Sequence, residues 1–198
     1  VGRSISSDHG QLLFYPKHAK DVVDPKLFPY NKSTSIPLPY EEVALCAKEL
    51  GGILAAAAPY HLQIPHPMGD KIFKMDGINA IEVRNAKYSN LINDFALEAS
   101  YHLRIPGIGG SETRDDLNSI GTTATLFSQK IKNNQDLIDA IKTGQVWPVK
   151  ISDEVKLRPQ SPNDAGGRSN DRSGPPRRSS HSSSNPRGAP RGGDRRDS

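Results

Sequence analysis

Gly109-Gly110-Ser111-Glu112-Thr113-Arg114 closes a short apolar run, Ile105 to Ile108, and precedes a polar stretch. A carboxylate and a guanidinium two residues apart in such a loop can pair with each other, or Arg114 can turn its planar fork of donors to a phosphate. Two imidazoles, His61 and His66, lie in Pro59-Tyr60-His61-Leu62-Gln63-Ile64-Pro65-His66-Pro67, and with Glu112 they are candidate ligands for a divalent metal. Their spacing is not the i, i+4 of a helix face, and the flanking prolines make the segment a loop, so ordinary loop histidines are the default. Asp8-His9 has the composition of a general-base pair, but adjacent residues on a strand face opposite ways. Asn85 ends a strand, where an Asn commonly caps a turn, and Glu82 is expected to point into the interior or to bond a neighbouring strand. Nucleophile elbows, phosphate-binding glycine loops and dinucleotide fingerprints are absent from the sequence.

These residues need a scaffold, and the chain alternates strand and helix signals. Leu12 to Tyr15 reads as a strand leaving a turn. Five prolines between Pro16 and Pro39 then break the chain into a long loop. A helix is predicted from about Pro39 to Leu50, with Val43, Ala44, Ala47 and Leu50 at helical spacing, Glu41 and Glu42 in the first turn, and Gly51-Gly52 as the stop. Ile53 to Ala57 is apolar without alternation, which suits a parallel strand covered on both faces. Gly77 to Val83 gives another strand, and Ser89 to His102 a helix with Ile92, Phe95, Ala96 and Ala99 as its apolar face. Ile105 to Ile108 and Thr122 to Phe127 read as strands. Asp136 to Thr143 reads as a helix capped by Asn133 or Asn134 and ended by Gly144. The rhythm predicts α/β architecture with parallel strands and functional loops at their carboxyl ends.

The order of motifs resembles the PHP family, the polymerase and histidinol phosphatase domain. The elements that carry the resemblance are Ser7 to Gln11, Gly51 to Tyr60, Gly77 to Asn85, Gly110 to Arg114 and Asp136 to Gly144, and together they cover roughly Val1 to Val149. The resemblance implies a partial, distorted (β/α) barrel and, in an active member, phosphoester hydrolysis by divalent metals (Mn, Zn, Fe or Mg) held by His, Asp and Glu. Carried over residue by residue, the ligand positions fall on Ser4, Gln11, Ala58, Glu112 and Arg114. Of these only Glu112 can ligate a metal. The fixed charge of Arg114 would repel a cation and instead stand in for one, so Arg114 is also the candidate phosphate contact. The family's opening His-x-His would lie before Val1. The implied state is a catalytically degenerate domain without a metal cofactor that binds or scaffolds. The alternative is a metal-dependent phosphoesterase completed upstream, or rebuilt from His61, His66 and Glu112. Because a partial barrel exposes strand edges, a protein partner or self-association is expected to close it.

Composition divides the 198 residues into a domain, 1–157, and a tail, 158–198. Pro159 to Ser198 contains no Leu, Ile, Val, Phe, Tyr, Trp or Met, so it is expected to be disordered. From Arg158 onward there are nine Arg and four Asp, which makes the tail +5 of a chain whose net charge is +4 and leaves the domain at −1. The domain is thus not a basic nucleic-acid platform. A single cysteine, Cys46, excludes an internal disulfide and reads as an inert buried thiol. No apolar run approaches the roughly 20 residues that span a bilayer, and the start of the sequence lacks a basic-then-apolar signal, so a cytoplasmic, non-membrane setting is expected. The chain begins with Val1 rather than Met, which leaves room for an upstream piece.

The tail's Arg177, Arg178, Arg187, Arg191, Arg195 and Arg196 sit among Ser, Gly and Pro, a composition that attracts polyanions, RNA foremost, through counterion release. Deleting residues 159–198 is therefore expected to abolish RNA binding that weakens steeply with salt in a filter-binding assay. Binding that survives the deletion unchanged overturns that reading.

Overall fold

The computed structural model describes residues 2–27, 37–113 and 117–151, all within the compact unit Val1–Pro159. Arg114 and the whole Arg-rich tail lie outside the described residues.

The chain opens with a hairpin of β1 (Arg3–Ser7) and β2 (Gly10–Tyr15). Only Asp8 and His9 join the two strands, too short a link for a crossover, so they pair antiparallel with Ser7 opposite Gly10. The turn is closed by the Ser7 hydroxyl, which donates to the Gly10 carbonyl at 2.8 Å and accepts the His9 N–H at 3.3 Å. Helix α1 (Tyr40–Glu49) begins after Pro39, which offers no side-chain cap. Asp8 supplies the cap from the hairpin, its Oδ1 accepting the Tyr40 N–H at 2.9 Å. The same carboxylate oxygen bonds His9 Nδ1 at 2.8 Å. The side chains of Asp8 and His9 meet because both sit in the turn and not on a strand, which corrects the expectation that they face apart.

β3 (Ile53–Ala56) pairs antiparallel with β2 and parallel with β4 (Ile78–Asn85), and β4 pairs parallel with β5 (Gly107–Gly110). The sheet order is β1-β2-β3-β4-β5. The architecture is mixed α/β, with parallel pairing from β3 to β5 and antiparallel pairing from β1 to β3, where the hairpin dictates direction. Every residue of β3 is buried, as its unbroken apolar run predicts.

Helix α2 (Asn90–Leu103) crosses between β4 and β5, capped by Ser89, whose side chain accepts the Ile92 N–H. Its inward face is Asn93, Ala96, Ala99 and Ser100. Phe95, expected inside, is 47% exposed, and Ile92 is only half-buried. Asn93 takes an inner position because it serves the backbone of Asn85, accepting its N–H at 2.9 Å and donating to its carbonyl at 3.1 Å.

β6 (Thr123–Phe127) and β7 (Val146–Lys150) form a separate antiparallel ribbon, with α3 (Asn134–Lys142) between them. Asn133 caps α3 by accepting the Asp136 N–H at 2.9 Å, and Asp136 reaches back to the Lys132 N–H at 2.9 Å. β7 is not predicted from the sequence, because Pro148 interrupts it. In a two-stranded ribbon, though, a proline can turn its missing donor outward. The ribbon meets β5 through side chains: Thr125 Oγ1 accepts the Gly109 N–H and donates to its carbonyl, both at 2.9 Å, and Ser111 Oγ donates to the Thr123 carbonyl at 2.8 Å.

The strands alternate between two cores. Leu12, Phe14, Leu54, Ala56, Ile81 and Val83 pack with α1 and α2, whereas Ile53, Ala55, Ala80 and Ile108 pack with α3 and Val146. Burial of a residue such as Phe14 or Leu12 stabilises the fold by roughly 1.5–3 kcal/mol. No described helix is long and apolar enough to cross a membrane.

The cap on α1 makes a testable demand. Burial alone would raise the Asp8 pKa, but the His9 hydrogen bond and the Tyr40 N–H outweigh it and hold it below its ordinary value. That contribution is fully present above the unfolded-state pKa and is lost as pH falls through the lower folded value. Urea titrations should show Asp8→Ala less stable by about 1 kcal/mol at neutral pH, with the gap closing in acid. An undiminished gap at low pH would refute the charge linkage.

Candidate functional site

α3 and β7 cover only one end of the face they pack against. Past Leu13 and Ala55 the same face continues through Gln11, Ala57 and Glu82, and there it opens as a cleft of about 1080 Å³. The cleft lies at the carboxyl ends of β3, β4 and β5, where α/β folds place function. Ser4, Gln11, Ala58 and Glu112 all line it, with Glu82 and Asn85 between them. His61 is at its wall, whereas His66 is exposed and not among the lining residues, so the set His61, His66 and Glu112 is not brought together.

Glu82 is the centre of the arrangement. It occupies β4 two residues beyond Ala80, on the face turned toward the cleft, and is 7% exposed. A carboxylate so buried needs donors. Its Oε2 accepts the Ala58 N–H at 3.0 Å, and the Asn85 amide lies close enough to lower its pKa. Asn85 Nδ2 donates to Glu112 Oε2 at 2.8 Å, so one amide stands between two carboxylates. Its Oδ1 accepts the Lys87 N–H at 2.9 Å, which is the turn-capping role expected of it, and its own backbone is pinned by Asn93. Gly110 makes room: a Cβ there would lie 2.7 Å from Glu82 Oε1.

The two loops that flank Glu82 carry non-glycine residues in the left-handed region, Ala58 at φ 39° and Glu112 at φ 44°. Each conformation costs about 1–2 kcal/mol. One turns the Ala58 N–H onto Glu82; the other brings the Glu112 carboxylate to Asn85. Burial pushes the Glu82 pKa up, the nearby Glu112 charge adds to this, and the Asn85 and Ala58 bonds offset only part of it. Burial, together with the charge of Glu82, likewise raises the Tyr15 phenol.

Glu82 is buried, as the sequence leads one to expect, and its hydrogen bond goes to the loop that directly follows the neighbouring strand β3. A charged residue in an otherwise apolar, buried strand is the signal for it. Opposite, the Ser4 hydroxyl donates to Gln11 Oε1 at 2.7 Å and Gln11 Nε2 to Ser6 Oγ at 2.9 Å, so these side chains are tied to one another. His61 stacks on Tyr88 with ring centroids 4.2 Å apart, and Tyr60 meets Phe95 at 5.6 Å. The Tyr60 hydroxyl donates to Asp70, and burial, joined by that bond, pushes its pKa up to about 12.

This donor set does not fit a cluster of catalytic metals. Ala58 has no ligating atom, Ser4 and Gln11 are poor ligands already bonded to each other, and a neutral amide joins the two carboxylates. Among the described residues no three of His, Cys, Asp and Glu converge on a point.

The raised pKa of Glu82 fixes a sign. Because the folded state holds this proton more tightly than the unfolded chain, Glu82 costs stability as pH climbs from the ordinary carboxylate range through its raised value. Glu82→Gln removes that penalty. Its stability relative to the parent, followed by denaturant melts, should therefore improve as pH rises; a difference independent of pH would show that Glu82 titrates alike in both states.

No family model and no curated protein matches the sequence. Solved structures do. PsfC from Pseudomonas syringae PB-5123 superposes with a TM-score of 0.57 over 79% of this chain and 61% of its own, at 16% identity. A two-domain protein from Bacteroides vulgatus ATCC 8482, containing a predicted PHP-like metal-dependent phosphoesterase, superposes with a TM-score of 0.50 over 75% of this chain and 43% of its own, at 14% identity. The chain thus spans less than two thirds of either protein, and at these identities the likeness concerns architecture alone. The fold of this chain is PHP-like.

Proposed function

We propose that this is a PHP-like domain that binds a ligand without hydrolysing it, its metal positions taken over by a hydrogen-bonded network. The observation that carries the reading is the Asn85 amide set between Glu82 and Glu112. Two carboxylates drawn to one point need positive charge or donors between them; here the donor is a neutral amide built into β4. Ala58 supports the same reading, since it offers Glu82 a backbone N–H and no ligand. Arg114 follows Glu112 by two residues, and we assign it the role of a fixed positive charge for Glu112, in place of a cation there and leaving the Glu82 charge to the cleft. The Arg-rich tail would add a weak, salt-sensitive hold on RNA.

A metal-dependent phosphoesterase is the competing reading. It draws on Glu82, Glu112 and His61 sharing one cleft and needs further ligands from outside this sequence. The two separate on one preparation. Elemental analysis should find far less than one Mn, Zn, Fe or Mg per chain, and p-nitrophenyl phosphate should not turn over above buffer. Stoichiometric metal together with turnover that chelator abolishes would establish the hydrolase and end the binding reading.

A further inference from the structure

The chemistry of the ligand can be read from which hydrogen-bonding groups the cleft floor has already used. The Ser4 hydroxyl proton goes to Gln11, the Ala58 N–H to Glu82, and the Asn85 amide to Glu112, with Glu82 beside it. Of the donors on the floor, Gln11 Nε2 keeps one N–H after serving Ser6. The acceptors are in surplus. An ionised carboxylate has about four lone-pair sites, and Glu82 accepts the Ala58 N–H and lies beside the Asn85 amide, which fills at most two of them. The Ser4 oxygen keeps its lone pairs as well. Lys87, Gln63 and Ser89 line the cleft but are exposed, so they belong to the rim, and His61 stands on the wall against Tyr88.

Beside this acceptor floor stands an apolar wall. Leu62 is 74% exposed, Leu91 64% and Phe95 47%, and all three line the cleft. Phe95 and Leu91 lie one turn apart on the outer side of α2, and Phe95 meets the Tyr60 ring. Bare side chains of this size at the mouth of a concave site suit an apolar body laid against them.

We propose that the cleft takes an organic cation, an ammonium or guanidinium head on an apolar or aromatic arm, with the head on Ser4 and Glu82 and the arm along Tyr60, Phe95 and Leu62. A phosphate or phosphonate head brings only acceptors, and between Ser4 and Glu82 it meets no donor but the one N–H left on Gln11. The inference rests on the metal-free reading of the site, because a bound metal would consume those lone pairs.

The test compares heads on one arm. Benzylamine and benzylphosphonate are titrated into the full-length protein in chelator by isothermal calorimetry. Benzylamine should bind at least about tenfold more tightly, a difference on the scale of one charge-assisted hydrogen bond. Glu82→Gln should weaken the amine by a similar factor, a thermal melt confirming that the variant is folded. Phe95→Ser, at an exposed position, should weaken benzylamine without moving the melt, so the proposal stays testable if the Glu82 variant fails to fold. Benzylphosphonate binding as tightly as benzylamine, or amine binding untouched by both substitutions, overturns the proposal. If elemental analysis finds stoichiometric metal, the parent reading falls and takes this one with it. If the protein is metal-free and the heads are not distinguished, only the ligand class is lost.

Discussion

A carboxylate buried on an apolar strand must be solvated by protein, and at Glu82 this requirement orders much of the local structure. It accounts for the strained backbone at Ala58, for the absence of a side chain at Gly110, and for an asparagine at 85 where the strand leaves the sheet. Asn93 extends the constraint to α2: it spends an inward helical position on the backbone of Asn85, which keeps the bridging amide still. The arrangement is costly in backbone strain and in carboxylate repulsion, and it leaves no buried polar side-chain atom unpaired among the described residues. A fold that only needed a packed strand at this point would do better with an apolar residue, so the cost argues that the carboxylate is retained for what it presents to the cleft.

The cleft itself follows from unequal covering of the sheet. One face is sealed by α1 and α2, and the other only where α3 and the β6–β7 ribbon reach. Beyond them the same alternation that sends Ala80 into the second core sends Glu82 into open space, and the strand period thereby decides which residues can meet a ligand.

Much of this is legible in the sequence, because helix and strand periods and their stop signals are local properties. α1, α2, α3, β3 and β4 are each predicted within a few residues; of the five positions carried over from the PHP resemblance, Ser4, Gln11, Ala58 and Glu112 share the cleft, and Arg114 lies outside the described residues. What escapes depends on partners far along the chain. β1 and the direction of β2 need the hairpin, the α1 cap comes from a residue 32 positions earlier, and Asn93 outcompetes Phe95 for the helix interior only because Asn85 needs it. The bridging role of Asn85 is likewise invisible until β4 and β5 lie side by side.

The junction between the main sheet and the β6–β7 ribbon has a consequence for how the domain comes apart. Two hydroxyl side chains, Thr125 and Ser111, span that seam, where a continuous sheet would have a run of backbone pairs. Amides within each sheet shelter one another, but little zips the sheets together apart from side-chain packing. The ribbon and its helix therefore form a natural unit of partial opening, whose amides would exchange with solvent sooner than those of β3 and β4. Such breathing would uncover the core that Ile53, Ala55 and Ala80 share with α3 while leaving Glu82 and its Ala58 bond in place.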